Sequence, residues 1–266
     1  MASIHATVKS TYKDMQACLP PRYKAFWACI TAVIAAGSPG QGQKWLPEIY
    51  RVAVMNLGPP ASARNTSPVE YEKDSPRRQV VRQLKDALVK ATILVGVGGC
   101  IEASFAMGSA LEEGDFDDTF LRQGFESDGK TFERGKYSVN RTHRDNLPAI
   151  EKKSTDLGIH DMLWLTYALT YGSLLSVVRP ENPYAALTFS ETEILLIACL
   201  MARYAHPEVA LHLKACLRSG MTPEEVEGVQ QAIEVCLRNM EAEVEATPRV
   251  PTPRVKDVIE EDDNRP

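Results

Sequence analysis

A carboxylate and an imidazole stand 19 residues apart in the last third of the chain. Glu193 lies early in one apolar stretch and His212 lies midway along the next, with the break Ala205-His206-Pro207 between them. If two helices fold back on each other at this break, the two side chains approach. A carboxylate beside an imidazole orients the ring and raises its proton affinity, which makes a general acid–base unit near neutral pH. Glu193 and His212 are therefore candidate catalytic residues.

The same two residues also have a structural interpretation. The segment Ser190–Glu193 fits the S/T-x-x-E capping box, in which the Glu193 carboxylate returns to the amide of the capping residue. His212 lies between two leucines and fits a core histidine with satisfied hydrogen bonds. Spacing alone leaves the catalytic and the structural interpretations open.

Three aromatic residues precede the pair in the chain. Trp164, Tyr167 and Tyr171 follow i, i+3, i+7 spacing, which places them on one face of an α-helix. They are candidate walls of a substrate pocket. The spacing suits ordinary core packing equally well.

The elements that must position these residues are predicted to be helices, so the fold class is all-α. Apolar residues recur at helical spacing almost throughout, and alternating stretches bounded by Asn-Gly or Asp-Gly are missing. The predicted helices cover 22–36, 44–57, 76–95, 100–111, 120–137, 160–177, 190–204, 207–220 and 222–245.

A weak internal repeat indicates a duplicated helical unit in one compact body. At an offset of 108 residues, Leu84–Leu111 lies over Thr192–Ser219, and each copy is a helix, a break and a second helix. We therefore divide the chain into an N-terminal helical half at 1–115 and a C-terminal helical half at 116–245. The Pro-containing acidic tail at 246–266 is predicted to be disordered, because it cannot bury enough apolar surface.

Charge and hydropathy exclude several classes of partner. Lysine and arginine number 30 against 35 acids, and the 26 residues from 241 hold 8 of those acids and 4 bases, so the rest is nearly neutral. A nearly neutral body has no general attraction for nucleic acid or acidic lipid. The apolar run at 25–36 is shorter than the about 20 residues that span a bilayer, and it follows Pro20-Pro21. We expect no nucleic-acid or membrane partner, and a cytoplasmic protein.

Cofactor and metal chemistry are not indicated. The six cysteines include no C-x-x-C pair, and no Cys/His spacing typical of zinc sites is present. Their apolar surroundings predict buried, reduced thiols. We expect no cofactor and no metal.

The stretch from Phe189 to Cys236 resembles the carboxymuconolactone decarboxylase family, within the alkyl hydroperoxidase D superfamily. The resemblance rests on Phe189-Ser-Glu-Thr-Glu-Ile-Leu-Leu-Ile-Ala198 and on the run from His212 to Val226. It extends more loosely to Gly129–Gly135 and Leu163–Leu175. It implies an all-helical, oligomeric fold, so that a homo-oligomer is expected.

The redox branch of that superfamily has a glutamate, a C-x-x-C pair and a histidine four residues later. Glu193 and His212 match the glutamate and the histidine, whereas Ala205 and Glu208 stand at the cysteine positions. The decarboxylase branch also lacks the cysteines and keeps the histidine, so the sequence is closer to it. In the first copy only Cys100 matches a cysteine position.

The leading hypothesis is a cofactor-independent decarboxylase-like lyase, or a related isomerase or cyclase. Its substrate would be a small or medium carboxylic acid, lactone or β-keto acid, with His212 moving the proton and Glu193 orienting the ring. The alternative is a non-catalytic, oligomeric protein that binds a small molecule on the same fold. A thiol redox enzyme that uses Cys100 is the third hypothesis.

Overall fold

Helices account for every regular element in the described part of the chain. The computed structural model describes residues 3–57, 75–123, 129–176 and 186–240, and the all-α prediction is confirmed. The α-helices are α1 (Ile4–Cys18), α2 (Trp27–Gly37), α3 (Gln41–Met55), α4 (Pro76–Val95), α5 (Val97–Gly108), α6 (Gly129–His143), α7 (Leu147–Asp156), α8 (His160–Trp164), α9 (Phe189–Ala202), α10 (His206–Arg218) and α11 (Pro223–Asn239). A π-helix spans Leu165–Leu174, and short 3₁₀ turns cover Pro21–Phe26, Glu113–Asp115 and Arg144–Asn146.

Two helices buried on all sides form the centre of the fold. Residues 27–36 of α2 and 192–201 of α9 are buried without interruption, as expected for helices that are apolar around their whole circumference. They pack against each other and against α4. The apolar run at 25–36 is thus a core helix. None of the described helices is long and apolar enough to cross a bilayer.

One apolar core runs through both predicted halves. Ile30 and Leu84 from the first half lie in the same buried cluster as Ile194 and Ile233 from the second. The boundary near residue 115 therefore does not separate two cores among the described residues. The predicted disordered tail at 246–266 lies outside them.

The proposed repeat matches the first helix of each copy better than the second. At the offset of 108, Leu88 and Leu196 are both buried, but Phe105 is exposed where Leu213 is buried. The buried residues of the two second helices align when the offset is one position larger, which pairs Ala103 of α5 with His212 of α10. The duplication itself stays a prediction.

Two helices lie where the sequence analysis predicted none, and one predicted helix moves. α1 buries Val8, Thr11 and Met15 and packs against α11, whereas α7 buries none of its residues. The helix predicted over 120–137 is described from Gly129 to His143, and residues 117–123 are not helical.

Glycines allow α6 and the π-helix to approach backbone to backbone. A Cβ at Gly135 would overlap the carbonyl oxygen of Tyr167, and one at Gly172 would overlap the carbonyl oxygen of Thr131. Only glycine fits where two backbones are this close. The contact fixes two of the elements that carry side chains of the candidate site.

Replacing Gly135 tests this contact. We expect Gly135→Ala to destabilise the fold by about 1–3 kcal/mol or more, because the added methyl group has backbone on its far side and cannot be accommodated by a rotamer change. The free energy of unfolding from urea titration measures the effect. Gly98→Ala is the control, since nothing lies within 4 Å of a Cβ at that position, and helix propensity favours alanine by about 1 kcal/mol. Equal stability of the two variants would contradict the close approach.

Candidate functional site

The start of α9 determines which glutamate caps the helix and which points into the core. Thr188 is the N-cap, its hydroxyl accepts from the Glu191 amide, and the Glu191 carboxylate accepts from the Thr188 amide at 2.7 Å. The capping box predicted for Ser190 and Glu193 is therefore wrong, because the helix begins earlier than the pattern suggested. The same sequence pattern at Thr222 and Glu225 does form a capping box, at the start of α11.

Glu193 and His212 lie together in the interior. Oε2 of Glu193 is 2.6 Å from Nδ1 of His212, with 1 % of Glu193 and 7 % of His212 exposed. The break between α9 and α10 turns the chain back on itself, as the spacing predicted. A buried carboxylate is costly unless its charge is compensated, and the imidazole supplies one partner.

Thr142 at the end of α6 supplies the second partner of the carboxylate. Its hydroxyl donates to Oε1 of Glu193 at 3.0 Å, so both carboxylate oxygens are engaged. Arg218 at the end of α10 donates to the Thr142 carbonyl at 2.7 Å and holds α6 in place. Three helices therefore meet at one buried carboxylate.

A second histidine extends the cluster towards the π-helix. The His143 ring lies 6.0 Å from the His212 ring, and its Nε2 is 3.3 Å from the Tyr171 hydroxyl. Burial lowers the pKa of His143 to about 4, and the nearby His212 acts in the same direction, so His143 is neutral at neutral pH. Burial and the Glu193 carboxylate raise the pKa of Tyr171, which keeps its hydroxyl protonated.

Glu193 forms part of the wall of a cavity of about 530 Å³. This volume is in the range of small-molecule sites. The wall is mainly apolar, with a few polar and charged groups: Arg134, Tyr137, Ser138, Arg141, Tyr171, Leu175, Ser176, Leu187, Thr188, Phe189, Thr192, Glu193 and Leu196. Glu193 therefore lines this cavity, whereas His212 does not.

Of the three aromatic residues predicted as pocket walls, the structure places only Tyr171 at the cavity. Tyr167 is buried against Phe132 and donates to the Glu151 carboxylate, whereas Trp164 is 52 % exposed. The π-helix is the reason, since its wider turn removes the i, i+3, i+7 register of an α-helix. Its hydrogen bonds span five residues, as from the Leu175 amide to the Thr170 carbonyl at 2.8 Å.

A buried lysine lies directly behind the cavity wall. The Lys90 ammonium donates to the Thr192 hydroxyl at 2.9 Å and to the carbonyls of Leu175 and Ser176 at 3.1 and 3.4 Å, and all three acceptor residues line the cavity. Only 1 % of Lys90 is exposed. Burial lowers its pKa to about 8, against the opposing effect of the Asp86 carboxylate.

Cysteine and metal chemistry find little support in the described residues. Cys29, Cys100, Cys199, Cys216 and Cys236 are buried, and burial raises the pKa of Cys100 to about 11, so its thiol stays protonated at neutral pH. Within the described ranges, no three His, Cys, Asp or Glu side chains are grouped so that they could hold a metal ion.

The sequence analysis missed Lys90, Arg134, Arg141, Thr142 and His143. A signal for two of them was present, because residues 134, 137, 138 and 141 follow the spacing of one helix face. Lys90 stands among the apolar residues of α4, which marks it as unusual. No spacing rule connects Thr142 or His143 with residues 50 or more positions further along the chain.

Comparison with known proteins found a relative that matches part of the chain. A protein of Schizosaccharomyces pombe (strain 972 / ATCC 24843) named Peroxisomal protein 2 is 31 % identical to the chain over 148 residues, which is 54 % of this chain and 63 % of that protein. The chain thus spans less than two thirds of that relative. No protein-family model and no solved structure matches the chain.

The lowered pKa of Lys90 predicts a pH-dependent stability. Between about pH 8 and pH 10.5 the folded protein holds a neutral lysine, whereas the unfolded chain still binds the proton. The unfolded state binds more protons there, so this residue makes stability rise with pH, by up to roughly 1.4 kcal/mol per unit. Urea titrations should show wild type gaining stability relative to Lys90→Met across that window. A difference that does not change with pH would refute the burial of the charge.

Proposed function

We propose that the protein is a cofactor-independent lyase of the decarboxylase type, or a related isomerase, acting on a small or medium carboxylic acid. The observation that carries this proposal is the buried Glu193–His212 pair, 2.6 Å apart, with the carboxylate in the wall of a mainly apolar cavity. An acid–base pair at such a cavity can move a proton to or from a carbon atom of a bound molecule.

We exchange the roles that the sequence suggested for the pair. Because Glu193 lines the cavity and His212 does not, we assign Glu193 as the group that touches the substrate. In decarboxylation of a β-keto acid, the C–C bond to the carboxylate breaks and its electron pair forms an enolate. The protonated His212 ring passes its Nδ1 proton to Glu193 through the 2.6 Å hydrogen bond, and Glu193 delivers a proton to the α-carbon. The neutral ring then takes up a proton from solvent, which replaces the one that the product carries away.

The neutral neighbours of the pair fit this role. Thr142 holds one carboxylate oxygen at 3.0 Å and fixes its direction. His143, with its pKa lowered to about 4, is neutral at neutral pH and adds no positive charge beside Glu193. Positioning of this kind allows the carboxylate to gain and lose a proton without rearrangement of the site.

Resemblance supports the same reaction class. The stretch Phe189–Cys236 resembles the carboxymuconolactone decarboxylase family, in which the histidine is kept and the cysteine pair is absent. Ala205 and Glu208 at the cysteine positions remove the C-x-x-C chemistry of the redox branch. The raised pKa of Cys100 weighs further against a thiol redox enzyme.

The homo-oligomer and the cytoplasmic location also belong to the proposal. Light scattering of the purified protein measures its oligomeric state. The cytoplasmic location differs from the location in the name of the relative, Peroxisomal protein 2.

Substitution of the pair tests the chemistry. We expect Glu193→Gln to slow proton transfer by about 10²- to 10⁴-fold, with His212→Asn having a comparable effect because it interrupts return of the proton. Release of CO₂ from benzoylacetate and from acetoacetate, and exchange of their α-hydrogens in D₂O followed by NMR, provide two readouts.

Glu191→Gln is the matched control, since glutamine also serves in a capping box and Glu191 is not one of the residues that line the cavity. Its rates should stay within about 2-fold of wild type, because the cap lies outside the catalytic pair. Full activity in Glu193→Gln would contradict the proposed chemistry. Binding of these acids without turnover by the wild-type protein would favour the non-catalytic binding protein.

The location can be read in living cells. We expect a fluorescent fusion, tagged at either terminus and expressed in Schizosaccharomyces pombe, to fill the cytoplasm evenly. Fluorescence concentrated in spots with a peroxisomal marker would replace the cytoplasmic assignment by that of the relative.

A further inference from the structure

One face of α6 lines the cavity with two guanidinium groups. Arg134, Tyr137, Ser138 and Arg141 occupy positions i, i+3, i+4 and i+7 and all contribute to the wall. The two arginines therefore stand two turns apart, about 10 Å along the helix axis. Glu193 is the acidic residue of that wall, so positive charge predominates on the side formed by α6.

The two arginines are held in different ways. Arg134 is fixed inside the fold, since its Nε donates to the Gly172 carbonyl at 2.8 Å and its Nη2 donates to the Thr131 hydroxyl at 3.2 Å. The first of these bonds ties α6 to the π-helix at the glycine contact, and the second lies within α6. Arg134 therefore serves mainly to hold the wall together.

Arg141 has the geometry of a ligand-binding group. Its guanidinium lies 3.8 Å from the centre of the Phe189 ring, and Phe189 also lines the cavity. Stacking on an aromatic ring fixes the plane of a guanidinium while its N–H edge stays available for a planar anion. Among the described residues, no carboxylate lies within ion-pair distance of Arg141, whereas Glu193 is already engaged by His212 and Thr142.

We propose that Arg141 is a specificity-determining residue that binds the carboxylate of an apolar, preferably aromatic, acid inside this cavity. The body of the acid lies against the apolar wall formed by Tyr171, Leu175, Leu187 and Leu196. The guanidinium and the carboxylate are both planar and can form paired, charge-assisted hydrogen bonds. The inference rests on the proposed function for the class of ligand, but binding requires no turnover.

Calorimetry with a matched pair of probes tests the assignment. The probes are 4-phenylbutyrate and its neutral counterpart 4-phenylbutyramide, which differ in the charge of the group that Arg141 would bind. Wild type should bind the acid about 10- to 100-fold more tightly than the amide. This ratio corresponds to the free energy of a hydrogen bond to a charged group. Arg141→Met should lose this preference. Arg141→Lys should keep part of it, since lysine retains the charge but not the paired N–H groups of the guanidinium.

Lys136→Met is the control, because it removes one positive charge from the same helix at a residue outside the cavity wall. It should bind the acid as wild type does. Arg141 is exposed, so its variants are expected to fold, and circular dichroism checks this. The assignment is overturned if wild type binds acid and amide equally, if neither probe binds at millimolar concentration, or if Arg141→Met keeps the preference for the acid.

Glu193→Gln separates this inference from the proposed function. That variant should still prefer the acid, since Arg141 is intact. If the preference depends on Arg141 but wild type turns over none of the β-keto acids, the lyase proposal fails and the binding assignment stands. If turnover occurs while Arg141→Met prefers the acid as wild type does, the lyase proposal stands and the binding assignment fails.

Discussion

A carboxylate enclosed in an apolar interior must find partners for both oxygens, and the packing of three helices satisfies this requirement at Glu193. His212 on α10 and Thr142 on α6 each contact one oxygen of the side chain that α9 carries. Removing one partner of a buried charge costs about 3–5 kcal/mol, far more than a typical surface ion pair contributes. The relative position of α6, α9 and α10 is therefore coupled to the charge state of a single residue.

The π-helix meets a second constraint, imposed by the close approach of two backbones. Gly135 on α6 and Gly172 on the π-helix let carbonyl oxygens occupy the space of side chains. The same contact lets Arg134 reach the Gly172 carbonyl. An α-helix in this position would turn Tyr171 through a different angle, since its residues are wound more tightly. The π-helix thus places Tyr171 at the cavity.

The all-α class and the approach of Glu193 to His212 could be predicted from the sequence because both depend on local periodicity and on a single break. The position of the capping box was predicted wrongly, because both Ser190 and Thr188 stand three residues before a glutamate. Only packing decides where α9 begins. The two copies match less well in their second helix, because the break between the helices is longer in the second copy.

Contacts between distant segments could not be predicted. The Thr142 hydroxyl lies 51 positions before Glu193, and Lys90 lies 102 positions before Thr192. No single-sequence pattern encodes such separations, since periodicity describes one element at a time. The missed residues are therefore those whose partners come from another part of the chain.

The distribution of charge around the cavity favours a bound anion over a cation. Arg141 stacks on Phe189 in the wall, whereas the one carboxylate of the wall, Glu193, already contacts an imidazole. A neutral ligand would gain only apolar burial, whereas an acid would also pair with the Arg141 guanidinium. The charge of the ligand, more than its size, should therefore decide what the cavity selects.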